Sequence, residues 1–325
     1  MARKESSFCG VSIPSQGDKV KSIEQTMHDM ARHRTLADEM QTALREYYHS
    51  IGNHQKADRV AGCGDYLKFR KYDDEEQTIK LHRANFCMHS MCPMCAWRKH
   101  SKNAVIFSRA LDGMEDLHLV TLTVKNVSKP SKGLFMQIIK ASTEMFKKQW
   151  KISSYIANFE VTNEGNGYHP HIHAIVQQPY WDKGVIQENM GYWRKKWGEK
   201  VGQAFAYLDI RPVWRKDGAV AEVTKYICKP QIKGRVSTKL LITDLEPALR
   251  GIRQIRTAGE MKRRIADVKS ELKFDDFMDK MRFVGVDHTD IIAEWMNGKY
   301  IAYTWENLDL SREGGRFAPA NTTRP

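Results

Sequence analysis

Apolar residues recur along this chain with two different spacings, and the two spacings predict different elements. Between residues 22 and 49 they return every three to four positions, which is typical of an amphipathic helix. The same period predicts helices at 98–111, 134–150 and 184–198. A further helix is predicted at 218–229, so helices occur along most of the chain.

β-Branched and apolar segments bounded by turn-forming residues predict four strands. They lie at 117–124, 155–162, 168–177 and 205–214. The glycines and asparagines of residues 163–167 predict a hairpin turn between the second and third strands. Strands and helices in this order predict an α+β fold, in which helices pack against an antiparallel sheet.

Length and charge narrow the class of protein. With 325 residues the chain can bury a sizeable core and is expected to hold two or more modules. Its net charge of +13 favours a polyanionic partner. No apolar run approaches the ~20 residues of a membrane span, and the polar first residues lack the apolar segment of a signal peptide. We therefore expect a nucleic acid partner, no membrane partner and a cytoplasmic location.

The segment 167–177 carries the most informative chemistry. Side chains alternate along a strand, so His171 and His173 share one face. Two neighbouring imidazoles suit a divalent metal ion, whereas an isolated His-x-His pair is more often two half-exposed histidines.

A metal that acts on phosphate also needs an oxygen ligand. Glu160 supplies one if the predicted hairpin places residues 160 and 171 opposite each other. Glu164, in the turn, is the alternative. His169 is a candidate for supporting the metal ligands or contacting DNA.

The predicted helix at 218–229 carries a second set of reactive residues. Glu222 and Tyr226 are four positions apart and share a helix face. Lys225 and Lys229 lie close to the tyrosine in sequence and could stabilise its phenolate. The simpler interpretation is an ordinary helical tyrosine, with Glu222 paired to a neighbouring lysine.

A strand with His-hydrophobe-His followed by a helix with Tyr-x-x-Lys resembles the HUH endonucleases. The Glu222–Tyr226 spacing more narrowly resembles the rolling-circle replication initiators (Rep proteins) of small bacterial plasmids. The Thr-Leu-Thr strand near residue 121 and the cysteine-rich segment extend the resemblance, which runs from Cys63 to Lys229. It implies a ferredoxin-like nuclease core that uses Mg²⁺ or Mn²⁺.

These residue types predict a mechanism. Tyr226 would attack a phosphodiester of single-stranded origin DNA, which gives a 5′-phosphotyrosine and a free 3′-hydroxyl primer. Glu222 would activate water and so end a round without a second covalent adduct. The resemblance implies single-stranded and duplex plasmid origin DNA, a host helicase and a DNA polymerase as partners.

Four cysteines predict a second metal site. Cytosolic cysteines are normally reduced, and Cys-x-x-Cys at 92–95 has the spacing of a zinc knuckle, although it also occurs in redox motifs. Together with two upstream cysteines, this pair supplies the four ligands of a tetrahedral site with no open position, which is typical of a structural Zn²⁺. The four are Cys63, Cys87, Cys92 and Cys95. His82 and His89 are competing ligands. Cys9 and Cys228 lie outside the set.

Basic clusters suggest where DNA binds. Arg98 and Lys99 follow the last cysteine of the set. Residues 231–270 carry ten Lys or Arg against four Asp or Glu, a net of +6. Their densest part contains Arg250, Arg253 and Arg256, which are predicted to bind phosphates; a solvated basic surface is the other interpretation.

The predicted organisation has six parts. They are a disordered N-terminus (1–20), a helical segment (21–59), a zinc module with a basic helix (60–112), the HUH nuclease core (113–232), a C-terminal DNA-binding or interaction region (233–310) and a tail (311–325). Three other functions remain open. They are a single-tyrosine HUH transposase, a conjugative relaxase, whose tyrosine normally lies upstream of the histidines, and a non-catalytic zinc-containing DNA-binding regulator.

Overall fold

The computed structural model describes residues 23–204, 206–224 and 237–304, with the side chains of residues 279 and 280 left out. In chain order the described elements are α1 (Ile23–Thr35), α2 (Asp38–Ser50), α3 (His54–Ala61), β1 (Tyr66–Tyr72), β2 (Ile79–Ala84), α4 (Pro93–Ala110), β3 (Leu117–Thr123), α5 (Lys132–Glu144) with a π-helical turn (Met145–Gln149), β4 (Tyr155–Asn163), β5 (Tyr168–Gln177), α6 (Lys183–Val201), β6 (Leu208–Pro212), α7 (Lys216–Thr224), α8 (Thr238–Leu249), β7 (Ile255–Ala258), α9 (Gly259–Arg282), β8 (His288–Met296) and β9 (Lys299–Thr304). None of the described helices is both long enough and apolar enough to cross a bilayer.

Five strands form the larger sheet, in the order β6-β3-β5-β4-β7, and all neighbours are antiparallel. The predicted hairpin of β4 and β5 is confirmed, and β5 occupies the centre of the sheet. With helices packed on this sheet, the α+β prediction is confirmed. The predicted strand at 205–214 is shorter in the structure, where it spans Leu208–Pro212.

Each face of the larger sheet carries its own helices. On one face, Phe159 and Ile172 lie in the core cluster that includes residues of α5, α6 and α8. On the opposite face, Ile156 and Ile175 pack with residues of α4, α7 and α9. Both faces are covered by helices, which explains why β4 and β5 are buried along most of their length.

The smaller sheet joins two distant parts of the chain. Its order is β2-β1-β8-β9, and Leu67 of β1 pairs with Ala293 of β8. The C-terminal region thus adds β8 and β9 to the strands beside the cysteines, and it adds β7 to the larger sheet. The region predicted at 233–310 therefore contributes strands to both sheets.

Side chains at the termini explain where several helices begin and end. Ser131 accepts a hydrogen bond from the backbone N–H of Leu134 at the start of α5, and Asp182 caps α6 in the same way. Gly202 ends α6 in the left-handed conformation that glycine adopts without strain.

Two predicted helices differ from the structure. The helix predicted at 22–49 is two helices, α1 and α2, that meet at Leu36 and Ala37. Arg34 is buried at this junction and forms ion pairs with Asp38 and Asp65, contacts that periodicity alone does not reveal. The helix predicted at 134–150 ends in a π-helical turn, in which the N–H of residue 150 donates to the carbonyl of Met145.

The junction between β7 and α9 gives a stability prediction. Gly259 has φ +58°, and a Cβ placed there would lie 2.2 Å from the carbonyl oxygen of Ser153. Gly285 has φ +79° but no described atom within 4 Å of an added Cβ. We expect Gly285→Ala to lower the free energy of unfolding by about 1–2 kcal/mol through backbone strain alone. Gly259→Ala should lower it clearly further, as measured by urea denaturation; equal losses would contradict this packing.

Candidate active site and metal centres

The pairing of β4 with β5 brings three potential metal ligands together. Glu160 lies opposite His171 in the ladder, so its carboxylate shares a face with both imidazoles. Its Oε2 lies 3.1 Å from Nε2 of His171 and 3.8 Å from Nε2 of His173. Glu160 is 2% exposed, and each histidine is 9% exposed. The register expected for residues 160 and 171 is confirmed.

Hydrogen bonds on the far side of each imidazole orient the rings. Nδ1 of His171 donates to the backbone carbonyl of His169 at 3.0 Å, which leaves Nε2 with its lone pair toward Glu160. Nδ1 of His173 lies 3.2 Å from the hydroxyl of Thr121 on β3. His169 thus supports the site through its carbonyl, and burial lowers the pKa of its own ring. The sequence does not predict Thr121 as a site residue, although its Thr-Leu-Thr strand is part of the resemblance to the HUH endonucleases.

The chemistry of this cluster fits a divalent cation. The three ligand atoms lie within 4.8 Å of one another. Among the described residues, only the two histidines lie within ion-pairing distance of the buried Glu160 carboxylate. Neutral imidazoles leave that negative charge uncompensated in a desolvated site, so a cation would stabilise it. Glu164, the alternative ligand, lies in the exposed turn outside the cluster.

Helix α7 places Glu222 beside the histidines. Its Oε2 lies 4.0 Å from Nε2 of His173, and its side chain is 29% exposed. Val220 and Val223 are fully buried and hold the other side of α7 against the core. The carbonyl of Thr224 accepts a hydrogen bond from Nδ1 of His100, 2.7 Å away on α4. The sequence does not predict this role for His100, because its only feature there is a position in a basic helix.

The other residues predicted for catalysis follow α7 directly in the chain. Tyr226, Lys225 and Lys229 lie outside the described residues. Their roles therefore stay predictions from the sequence.

The predicted set of four cysteines forms one compact, buried cluster. The sulfur of Cys63 lies 3.5 Å from that of Cys95 and 3.6 Å from that of Cys92. Cys87 and Cys95 are 3.6 Å apart. Four sulfurs at ~2.3 Å from a tetrahedral zinc ion would be about 3.8 Å apart. The geometry thus fits Zn²⁺ with little adjustment.

Hydrogen bonds to these sulfurs also suit thiolates. The backbone N–H of Met88 donates to Cys95 at 3.2 Å, and Nε2 of Gln41 donates to Cys92 at 3.5 Å. Contact with the other three sulfurs raises the pKa of the Cys63 thiol. Thiolates 3.5–3.6 Å apart repel one another, so four of them are stable together here only around a cation. Gln41 lies on α2, far from the cysteines in sequence, and no sequence signal marked it.

The competing histidines do not join the cysteines. Nδ1 of His89 accepts the N–H of Met91, and its Nε2 lies 2.9 Å from the hydroxyl of Tyr48. Both ring nitrogens are therefore engaged, and burial lowers the pKa of His89 to about 4. His82 lies on the exposed part of β2, outside the cluster.

The predicted DNA-binding residues occupy different environments. Arg98 stacks over Phe86, with its guanidinium carbon 3.6 Å from the ring centroid. Arg250 forms an ion pair with the buried Glu246. Arg256 lies on β7 opposite Ala157, where burial lowers its pKa to about 10.

Lys99, Arg250 and Arg253 line one groove, which Ile255 of β7 also lines. Arg256, next along the strand, has its side chain on the other face of the sheet. DNA binding by any of these residues stays a prediction.

The metal cluster predicts a difference between two glutamates of the same hairpin. Replacing Glu160 with Gln removes the buried charge, so we expect Mn²⁺ binding to weaken about 10-fold or more. Glu164→Gln should leave binding unchanged, because that side chain lies in the exposed turn. Isothermal titration with Mn²⁺ measures both. Equal affinities would show that Glu160 is not a ligand.

The cysteine cluster predicts about one zinc ion per chain. Metal analysis of purified protein should detect it, and Cys92→Ser should lose it and melt at a lower temperature, because binding of a structural metal is coupled to folding. Cys9→Ser is the matched control and should retain zinc. An unchanged zinc content in Cys92→Ser would contradict the assignment.

The chain is similar to known replication proteins. The family model described as Rep_1, replication protein, matches residues 78–309. A "Protein rep" of Streptococcus pneumoniae serotype 2 is 31% identical over 243 residues, which cover 67% of this chain and 74% of the relative. Another, from a Bacillus species, is 28% identical and covers 69% and 83%. A third, from Lentilactobacillus hilgardii, is 28% identical and covers 79% and 90%. No solved structure matches the chain. The extent of the family match establishes that this chain belongs to the Rep_1 family of replication proteins.

Proposed function

We propose that this protein initiates rolling-circle replication of a plasmid by nicking single-stranded origin DNA. The reaction would join Tyr226 to the 5′-phosphate of the cut strand and release a 3′-hydroxyl for a polymerase to extend. The HUH interpretation and the ferredoxin-like description of the core are part of this proposal.

One observation carries the proposal. The ligand atoms of the buried Glu160 and the two histidines beside it lie within 4.8 Å of one another on one face of the central hairpin, and Glu222 lies 4.0 Å from His173 at the edge of this group. DNA binding by a regulator without catalytic activity does not require this arrangement of residues. Two carboxylates and two imidazoles at one place are instead what phosphoryl transfer needs.

The donor set suits Mn²⁺ or Mg²⁺, with Mn²⁺ the better match because two of the three ligands are nitrogens. When bound, such an ion would polarise the scissile phosphate and lower its charge. The protein's part is to hold Glu160, His171 and His173 in fixed positions. The hydrogen bond from His171 to the His169 carbonyl and the one between His173 and the Thr121 hydroxyl do this.

Tyr226 is the proposed nucleophile. In the sequence only Lys225 separates Tyr226 from Thr224, the last residue of α7. The hydrogen bond from His100 to the Thr224 carbonyl fixes that end of α7. A tyrosine with an ordinary pKa near 10 is protonated at neutral pH. The phenolate therefore needs a nearby cation, for which Lys225 and Lys229 are the candidates.

Glu222 is the proposed general base for termination. Its side chain is 29% exposed, so water can reach the carboxylate while it remains beside His173. Removal of a proton from that water would lead to hydrolysis at the end of a round, with no second phosphotyrosine. The Rep_1 membership favours an initiator over an HUH transposase that has the same core.

The test is a cleavage assay on 3′-labelled single-stranded oligonucleotides that together cover the replicon carrying the gene. With Mn²⁺, wild type should give a protease-sensitive, denaturant-resistant adduct that carries the label. Tyr226→Phe should give none. Tyr192→Phe, on the exposed side of α6, is the matched control and should behave as wild type. An adduct that persists in Tyr226→Phe, or no adduct from wild type on any oligonucleotide, would reject the proposal.

Glu222→Gln separates the two chemical steps. We expect it to form the adduct but to release it by hydrolysis about 100-fold or more slowly, the usual contribution of a general base. Glu188→Gln, at an exposed position of α6, serves as control. Hydrolysis at the wild-type rate in Glu222→Gln would exclude the termination role.

A further inference from the structure

A basic groove lies between the cysteine module and the larger sheet. Its cavity has a volume of 550 Å³ and is partly open to solvent. Parts of α3, α4 and α9, the loop at 87–91 and the segment at 249–257 line it. Its cationic side chains are Lys56, Arg59, Lys99, Arg250, Arg253 and Lys269.

The charge of this groove is largely uncompensated. Among its described lining residues the acidic one is Glu246, which pairs with Arg250 and lies 3.7 Å from Lys56. Within the described chain, no carboxylate lies at ion-pairing distance from Lys99 or Lys269, and the same is true of Arg59 and Arg253.

The environment of Lys99 also favours an anion in this groove. Desolvation lowers the pKa of Lys99, and no anionic group offsets the effect.

The groove and the metal cluster lie on the same face of the sheet. Ile255 in the groove floor pairs with Asn158, which pairs with His173. Cross-strand partners point to the same side, and neighbouring strands are ~4.8 Å apart. The Cα atoms of Ile255 and His173 are therefore about 10 Å apart.

We propose that this basic groove binds the sugar–phosphate backbone of the DNA strand next to the segment that reaches the metal cluster. The inference rests on the proposed function, since it takes the ligand to be the DNA that is cut. The cavity falls within the ~300–1,000 Å³ of pockets that enclose a single ligand. It therefore holds a short stretch of one backbone, and the remainder of the strand or duplex lies outside.

Backbone contacts carry no base preference, so their signature is salt dependence. Each phosphate contact contributes about 0.7 for a single strand, or about 0.9 for a duplex, to the slope of log affinity against log salt concentration. Loss of Lys99 or Lys269 should therefore weaken binding evenly across DNA sequences and flatten the slope by about that amount for each side chain.

The experiment measures fluorescence polarisation of labelled single-stranded and duplex oligonucleotides across a salt series. The protein carries Tyr226→Phe, and EDTA is present at a concentration that leaves the zinc content unchanged, so no cleavage occurs. The groove pair is the double variant Lys99→Ala and Lys269→Ala. The control pair is the double variant Lys140→Ala and Lys195→Ala, which replaces two exposed lysines of α5 and α6 on the opposite face of the sheet. Lys99→Arg should retain the wild-type slope. Melting curves and zinc content verify that all variants fold.

A flatter slope and weaker binding for the groove pair, but not for the control pair, support the proposal. If the change occurs with the single-stranded oligonucleotide, the groove binds a single strand. If it occurs with the duplex, the groove binds one strand of a duplex. Equal slopes and affinities for the two pairs would overturn it. The adduct assay is run on the same lysine variants with Tyr226 intact and at saturating DNA, and it reports separately on the proposed nicking activity. Backbone binding in the groove and nicking can therefore be rejected independently of each other.

Discussion

The antiparallel pairing of β4 with β5 is the interaction on which the candidate active site depends. A shift of one residue would turn Glu160 away from the histidines and bring Phe159 to their face. The apolar side of the sheet prevents this shift. Phe159 is fully buried, 5.1 Å from the ring of Phe135 on α5, and Ile172 is buried on the same side. Apolar packing on one face of the sheet thus sets the strand register that places Glu160 beside the histidines on the other face.

The cysteine module is joined to the rest of the protein by a buried polar network. Tyr48 on α2 donates a hydrogen bond to Glu246 on α8 and also contacts His89, which follows Cys87 in the loop. Glu246 is 3% exposed and holds Arg250 in an ion pair. Burial of a carboxylate is costly unless it is paired and hydrogen-bonded, as here. The network therefore orders the loop at 87–91, which forms one wall of the basic groove.

The basic residues of this protein have different roles in the structure, and amino-acid composition does not distinguish them. Arg34 and Arg250 neutralise carboxylates within the fold, and Arg98 stacks on an aromatic ring. Lys99 and Lys269 line the groove with no carboxylate nearby among the described residues. The basic side chains available to DNA are thus fewer than the 52 Lys and Arg of the sequence, and several of the available ones line the groove.

The sequence by itself determined the elements and residue sets that depend on short-range spacing. Alternation predicted β5, the turn residues predicted its hairpin, and that hairpin brought Glu160 to His171. The cysteines were found because zinc sites have a characteristic spacing. Only the tertiary structure decided which distant strands pair, such as Leu67 with Ala293, and which side chains form the groove. It also paired β7 with β4, which puts Ile255 on the face of the candidate metal ligands. The reason is physical: local periodicity tells which side of an element is apolar, but partners far apart in the chain are selected by packing between surfaces that exist only after folding.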